Sequence, residues 1–164
     1  MKKYIKTGFI LATFLFISIA CAQDKGAPSN QGEVLDFTFN GLNQNTVSLA
    51  SFRDKQPVIL IFWTTWCPYC RKELQSLNTR FEELSKEGWG ILAVDAGEDA
   101  HKVESYRDAH GIKLDLLLDR DMKITNSLEI LGVPSYVIIN KKGYLVAKAH
   151  TFSPEKYKYL LDEK

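Results

Sequence analysis

Cysteine is scarce. The 164-residue chain has three, Cys21, Cys67 and Cys70, and only one CxxC pair. A structural zinc site needs four ligands, and no second CxxC completes one. The three histidines, His101, His110 and His150, show no ligand spacing and read as ordinary surface or satisfied side chains. Charge of one sign is also lacking: the formal net charge is +1, and charged residues are interspersed rather than blocked. Nothing in the charge argues for nucleic acid as a partner. No apolar run is long enough for a stable membrane span. The longest, from Gly8 to Ala20, covers about 20 Å as a helix against a hydrocarbon core of ~30 Å. No internal repeat appears, and no second linker divides the chain beyond residue 33.

What is present begins at the N-terminus. Lys2, Lys3 and Lys6 precede the apolar run, the pattern of an export signal over residues 1–20. Ser18-Ile19-Ala20-Cys21 resembles a bacterial lipobox without its usual Leu, which makes Cys21 the expected lipidation site. Ala20-Cys21-Ala22 also fits an ordinary A-x-A cleavage, which would remove Cys21. The lipoprotein route is favoured, and acyl chains would hold the protein on a membrane surface. Either route leaves 18 Lys and Arg against 20 Asp and Glu, near −2. Residues 21–33 are polar and small, as in a flexible tether, and residues 34–164 form the folded domain. With 45% hydrophobic residues the chain can build a real core.

Alternation from Val34 through Phe37, Phe39, Val47 and Leu49 predicts a β-hairpin. The continuous apolar run Pro57–Trp63 predicts a buried central strand. Cys70, Leu74, Leu77, Phe81 and Leu84 recur at helical spacing, ending at Gly88. A strand at Ile91–Val94, a helix at Ala100–His110 and a strand at Leu114–Leu118 follow. A helix over about 121–131, a hairpin around Lys141-Lys142-Gly143 and a last helix from Pro154 to the C-terminus complete the order. Strands alternating with helices imply an α/β fold, a mixed sheet with helices on both faces.

The cysteine pair sits where strand gives way to helix. Pro68 suits a first helical turn, so Cys67 lies at a helix N-terminus beside unpaired N–H groups, a setting that favours the thiolate. Cys70 is three residues on and belongs to the apolar stripe. One sulfur is expected exposed and reactive, the other buried and in reach. Cys67 would attack a substrate disulfide, and Cys70 would resolve the mixed disulfide, leaving a Cys67–Cys70 redox disulfide.

The stretch VILIFWTTWCPYCRKEL, with VSLASFRDKQP before it and GVPSYVIINKKGYLVAK further on, resembles the thioredoxin superfamily. Within it the likeness is to the TlpA-like/ResA-like branch of membrane-tethered, extracytoplasmic thiol-disulfide oxidoreductases. The resemblance implies a thioredoxin fold with an N-terminal β-hairpin and a central αβ insertion. It implies a cis Val133-Pro134 bond facing the cysteines, and a substrate-binding set of Trp66, Pro68, Tyr69, Val133 and Pro134. Ile61 stands where cytoplasmic thioredoxins carry a buried Asp. The branch's alternative acid matches Glu98, a third candidate catalytic residue that could take the Cys70 proton, with Asp95 and Asp99 as rivals. Three departures stand out: Gln75 where the branch often has Pro, Ser135 in place of Thr, and a glutaredoxin-like Pro68-Tyr69 pair.

The expected activity is disulfide reduction on exported proteins, with apocytochrome c one plausible substrate. No cofactor or metal is implied. Partners would be exported protein thiols and disulfides, a membrane thiol protein that donates electrons, and the membrane surface. Alternatives are a peroxiredoxin-like peroxidase, although Leu60 replaces the proline of the usual peroxidatic pattern, and a lipid-tethered Cu(I) chaperone.

Overall fold

The computed structural model describes residues 32, 34–42 and 44–163. The predicted export signal, Cys21 and nearly all of the tether lie outside the described residues. Seven strands form one sheet: β1 (Thr38–Gly41), β2 (Thr46–Ser48), β3 (Val58–Trp63), β4 (Gly90–Ala96), β5 (Asp115–Asp119), β6 (Ser135–Ile139) and β7 (Leu145–Ala149). Their order is β2-β1-β5-β4-β3-β6-β7. The strands β3, β4 and β5 run parallel, and β6 lies antiparallel beside β3. The N-terminal hairpin joins the far edge through β1 and β5.

Every residue of β3 and β4 is buried. Alternate residues of β3 feed two cores. Ile59, Ile61 and Trp63 face Leu74, Leu77 and Leu84 of α1 (Pro68–Glu87) and Val103 of α2 (Ala100–His110). Val58, Leu60 and Phe62 face the other side, with Phe39, Leu117 and Leu128. Both thiols belong to the first core. Helix α1 runs unbroken past Gln75 and stops at Gly88, whose φ of 104° places it in the left-handed region that glycine occupies without strain. Truncating a core residue such as Leu74 to Ala would cost about 2–5 kcal/mol.

Two helices are shorter than the periodicity predicts. The segment expected over 121–131 is helical only in α3 (Lys123–Ser127). Met122 before it and Glu129 after it both take positive φ. The Asp119 carboxylate fixes the late start by accepting from Ile124 N, Thr125 N and Thr125 Oγ1. The last helix, α4 (Pro154–Tyr157), tightens into a 3-10 turn over Lys158–Leu161. Among the described residues no helix is long and apolar enough to cross a membrane.

The chain enters the domain beside the β6–β7 turn. Val34 bridges Tyr144, and Leu35 N donates to Gly143 O at 2.9 Å. That turn lies at the end of the sheet where β3 begins, because Val58 pairs with Ile139.

Candidate active site

The two thiols sit at the opposite end, where β3 stops. Cys67 is the N-cap of α1, and its sulfur accepts the Cys70 N–H at 3.2 Å. A thiolate accepts such a bond better than a thiol does. The Cys67 S–H also reaches Val133 O at 3.7 Å. Contrary to expectation Cys67 is not openly exposed. Its residue is only 5% accessible. The Val133 carbonyl that lies against its sulfur is 66 positions away in sequence. Cys70 is 0% accessible. Burial pushes its thiol up to about 12, with further upward contributions from the hydrogen bond to Cys67 and the Cys67 charge. Both cysteines are free thiols.

The Val133-Pro134 peptide is cis, as the resemblance implies. Its loop is held by side chains on both sides. Ser135 Oγ donates to Gly132 O at 2.6 Å, and His150 Nδ1 lies 2.9 Å from Pro134 O. A carbonyl only accepts, so His150 carries its proton on Nδ1. Sequence spacing gave His150 no role. The β6–β7 register could have found it, because Tyr136 pairs with Ala149 and so brings Ser135 beside His150. Tyr136 OH donates to Glu73 Oε2 at 2.7 Å and ties β6 to α1. Around the thiols Trp66 and Tyr69 are exposed, and Leu131, which the sequence reasoning missed, is 99% exposed. The signal for Leu131 was there: an apolar residue directly beside the Gly132-Val133-Pro134 loop.

Among the acid candidates, Glu98 is buried with both oxygens engaged. Thr65 N donates to Oε2 at 2.5 Å and Thr65 Oγ1 to Oε1 at 2.8 Å. Glu98 therefore grips the loop two residues before Cys67. Asp95, at the end of β4, accepts the Glu98 N–H through Oδ1 at 2.8 Å. Burial, then the Glu98 carboxyl and the Asp119 charge, push Asp95 up to about 7. Asp99 is committed elsewhere, capping α2 through His101 N and pairing with Arg120 at 2.8 Å. Among the described residues no group of three or more His, Cys, Asp or Glu side chains is placed to hold a metal ion.

ResA, a thiol-disulfide oxidoreductase of Bacillus subtilis, is 26% identical over 154 residues, 89% of this chain and 86% of that protein. The ResA of Geobacillus thermodenitrificans is 31% identical over 134 residues, 82% of this chain and 72% of that protein. The crystal structure of StoA from Bacillus subtilis superposes with a TM-score of 0.65 at 22% identity, covering 77% of this chain and 96% of its own, and shares the fold. The AhpC/TSA family matches residues 31–148. With one buried thiol behind a helix-capping one, a cis-proline loop against them and these relatives, the chain belongs to the AhpC/TSA family as a thiol-disulfide oxidoreductase of ResA type.

Proposed function

We propose that the protein reduces disulfides of exported proteins outside the cytoplasm, held to a membrane by acylated Cys21 at the end of a 21–33 tether. The observation that carries the direction of attack is the inequality of the two sulfurs. Cys67 Sγ receives a helix N–H, and Cys70 is sealed in the core with its thiol pushed up.

The reaction begins with the Cys67 thiolate displacing one sulfur of the substrate disulfide, which leaves as a thiolate and takes a proton. A Cys67–substrate disulfide remains. Cys70 then loses its proton and attacks Cys67 Sγ, expelling the second substrate sulfur. Two electrons and two protons pass to the substrate, and Cys67–Cys70 is left as a disulfide for a membrane thiol donor to reduce. Glu98, fixed on the Thr65 segment, is the proposed acceptor of the Cys70 proton. Trp66, Pro68, Tyr69, Val133 and Pro134 would line an extended substrate segment, with Leu131 added to the rim. Apocytochrome c is one substrate that would suit such a reductase.

Cys70→Ser tests the reading in the native cell. It should trap a partner on Cys67 as a mixed disulfide, identifiable by mass spectrometry. Recovery of no partner would count against the reading, and peroxide consumption by the purified protein would favour the peroxidase alternative.

A further inference from the structure

Asp95 is not used by the mechanism above, yet it occupies an unusual position. It is 0% accessible, and its Oδ2 has no hydrogen-bond partner. It pairs across the parallel strands with Trp63, the last residue of β3. Side chains of paired residues point to the same sheet face, so Asp95 shares the face of Trp63, Cys67 and Cys70. A buried, ionised carboxylate with one bond and a bare oxygen is expensive, and two such groups in contact are worse. Asp95 and Glu98 are neighbours: the Glu98 N–H binds Asp95 Oδ1 at 2.8 Å, and burial together with the Glu98 carboxyl pushes Asp95 up. Both Glu98 oxygens already accept from Thr65. The proton of such a pair therefore belongs on Asp95, whose Oδ2 is free to donate it.

We propose that Asp95 is a positioning residue of the dithiol site: as the protonated member of a buried Asp95–Glu98 pair, it lets Glu98 hold Thr65 and so fixes the loop that delivers Cys67. The inference rests on the reading of Cys67 and Cys70 as a redox dithiol. The pair carries one negative charge while Asp95 keeps its proton and two when it loses it. The second charge repels Glu98 and loosens its grip on Thr65. The groups that act on Asp95 by charge are Glu98, from the turn after β4, and Asp119, from the end of β5; both are acidic. β3 opposes Asp95 with uncharged Trp63, and the same face carries the two thiols of the α1 turn and Tyr106 of α2. Arg71 of α1 acts by charge on Tyr106, whereas the charges that act on Asp95 itself are the acidic ones of Glu98 and Asp119. The rise of the Asp95 carboxyl to about 7 puts the change near neutral pH.

Carbon-detected NMR titration of the side-chain carboxyls of the reduced, full-length protein in detergent tests the shared proton directly. Asp95 should titrate near pH 7, and in Glu98→Gln its midpoint should fall. The kinetic arm uses glutathione disulfide as probe between pH 5.5 and 8.5. The wild-type resolution rate should change across pH 6–8. Both proteins should share the rise that Cys70 deprotonation gives; Asp95→Asn, permanently neutral and of the same shape, should match the wild-type rate at pH 5.5 within about twofold and exceed it increasingly above pH 7, where wild type loosens its grip on Thr65. A role limited to packing would leave the profile of Asp95→Asn parallel to wild type, and that result overturns the proposal. So does an Asp95 resonance titrating in the ordinary carboxylate range. A wild-type protein that shows the Asp95 titration near 7 but reduces no disulfide overturns the proposed function and upholds the shared proton.

Discussion

Two aspartates end adjacent strands one step apart, Asp95 in β4 and Asp119 in β5, where Ala96 pairs with Asp119. Both are buried, at 0% and 4% accessible. Asp119 is fully employed: Ile124 N, Thr125 N and Thr125 Oγ1 all donate to it, and it starts α3. Asp95 has a single donor and an unpartnered oxygen. The backbones of the two turns touch, Gly97 N donating to Asp119 O at 3.2 Å. Burial alone therefore does not decide what an aspartate does. The number of donors aimed at it does. One strand end spends its carboxylate on folding, and the other keeps an unmet hydrogen bond next to the chemistry.

The largest expected effect breaks the comparison on the folding side. Asp119→Ala strips three bonds and leaves buried donors unmet, which should lower stability by about 2–4 kcal/mol in chemical denaturation. The pH profile of disulfide reduction by the folded fraction should shift to lower pH, because the Asp119 charge helps to hold Asp95 up. Asp95→Asn should act with the opposite sign. The folded-state value of Asp95 lies near 7 against an ordinary 3.8, so its proton contributes stability that is full below pH 3.8 and lost as pH rises to about 7. Removing that charge should stabilise the protein by roughly 1–3 kcal/mol at pH 8, with the gain gone near pH 4. A denaturation series over pH 4–8 on both variants checks the crossing.

How much of this contrast was legible beforehand depends on how far its causes lie in sequence. The run Val58–Trp63 and the stripe Cys70, Leu74, Leu77, Leu84 announced β3 and α1 because their patterns are local. The start of α3 was not legible, since a carboxylate four positions upstream of Lys123 sets it. The Val133 loop against Cys67 was reached only through the resemblance, since 66 positions separate the two residues. Glu98 was reached through a resemblance and a missing Asp at Ile61. Its bond to Thr65 spans 33 positions and no periodicity carries it. Asp95 was a rival on the same grounds, and only its surroundings separate the two.

Smaller effects sharpen the contrast at the site itself. Glu98→Gln keeps the shape but weakens the grip on Thr65, and stopped-flow measurement should show resolution by Cys70 slowed roughly tenfold or more. Trp66→Ala and Leu131→Ala should leave reduction of a small disulfide unchanged. They should raise KM about two- to fivefold for a disulfide-bearing polypeptide, as loss of exposed contacts at a rim does. Equal effects on both substrates would remove these side chains from the docking surface.

The bridge between Val34 and Tyr144 has a consequence for orientation. It fixes the N-terminal entry at the pole where β3 starts, and the six residues of β3 carry the chain about 20 Å to the pole where Cys67 begins α1. In the proposed tethered form the pull of the membrane reaches the domain from behind, and the thiols look outward to passing exported chains. The same sulfurs must then swing round to meet a donor in the membrane. Thirteen tether residues, spanning at most about 45 Å, set the arc within which that turn is made.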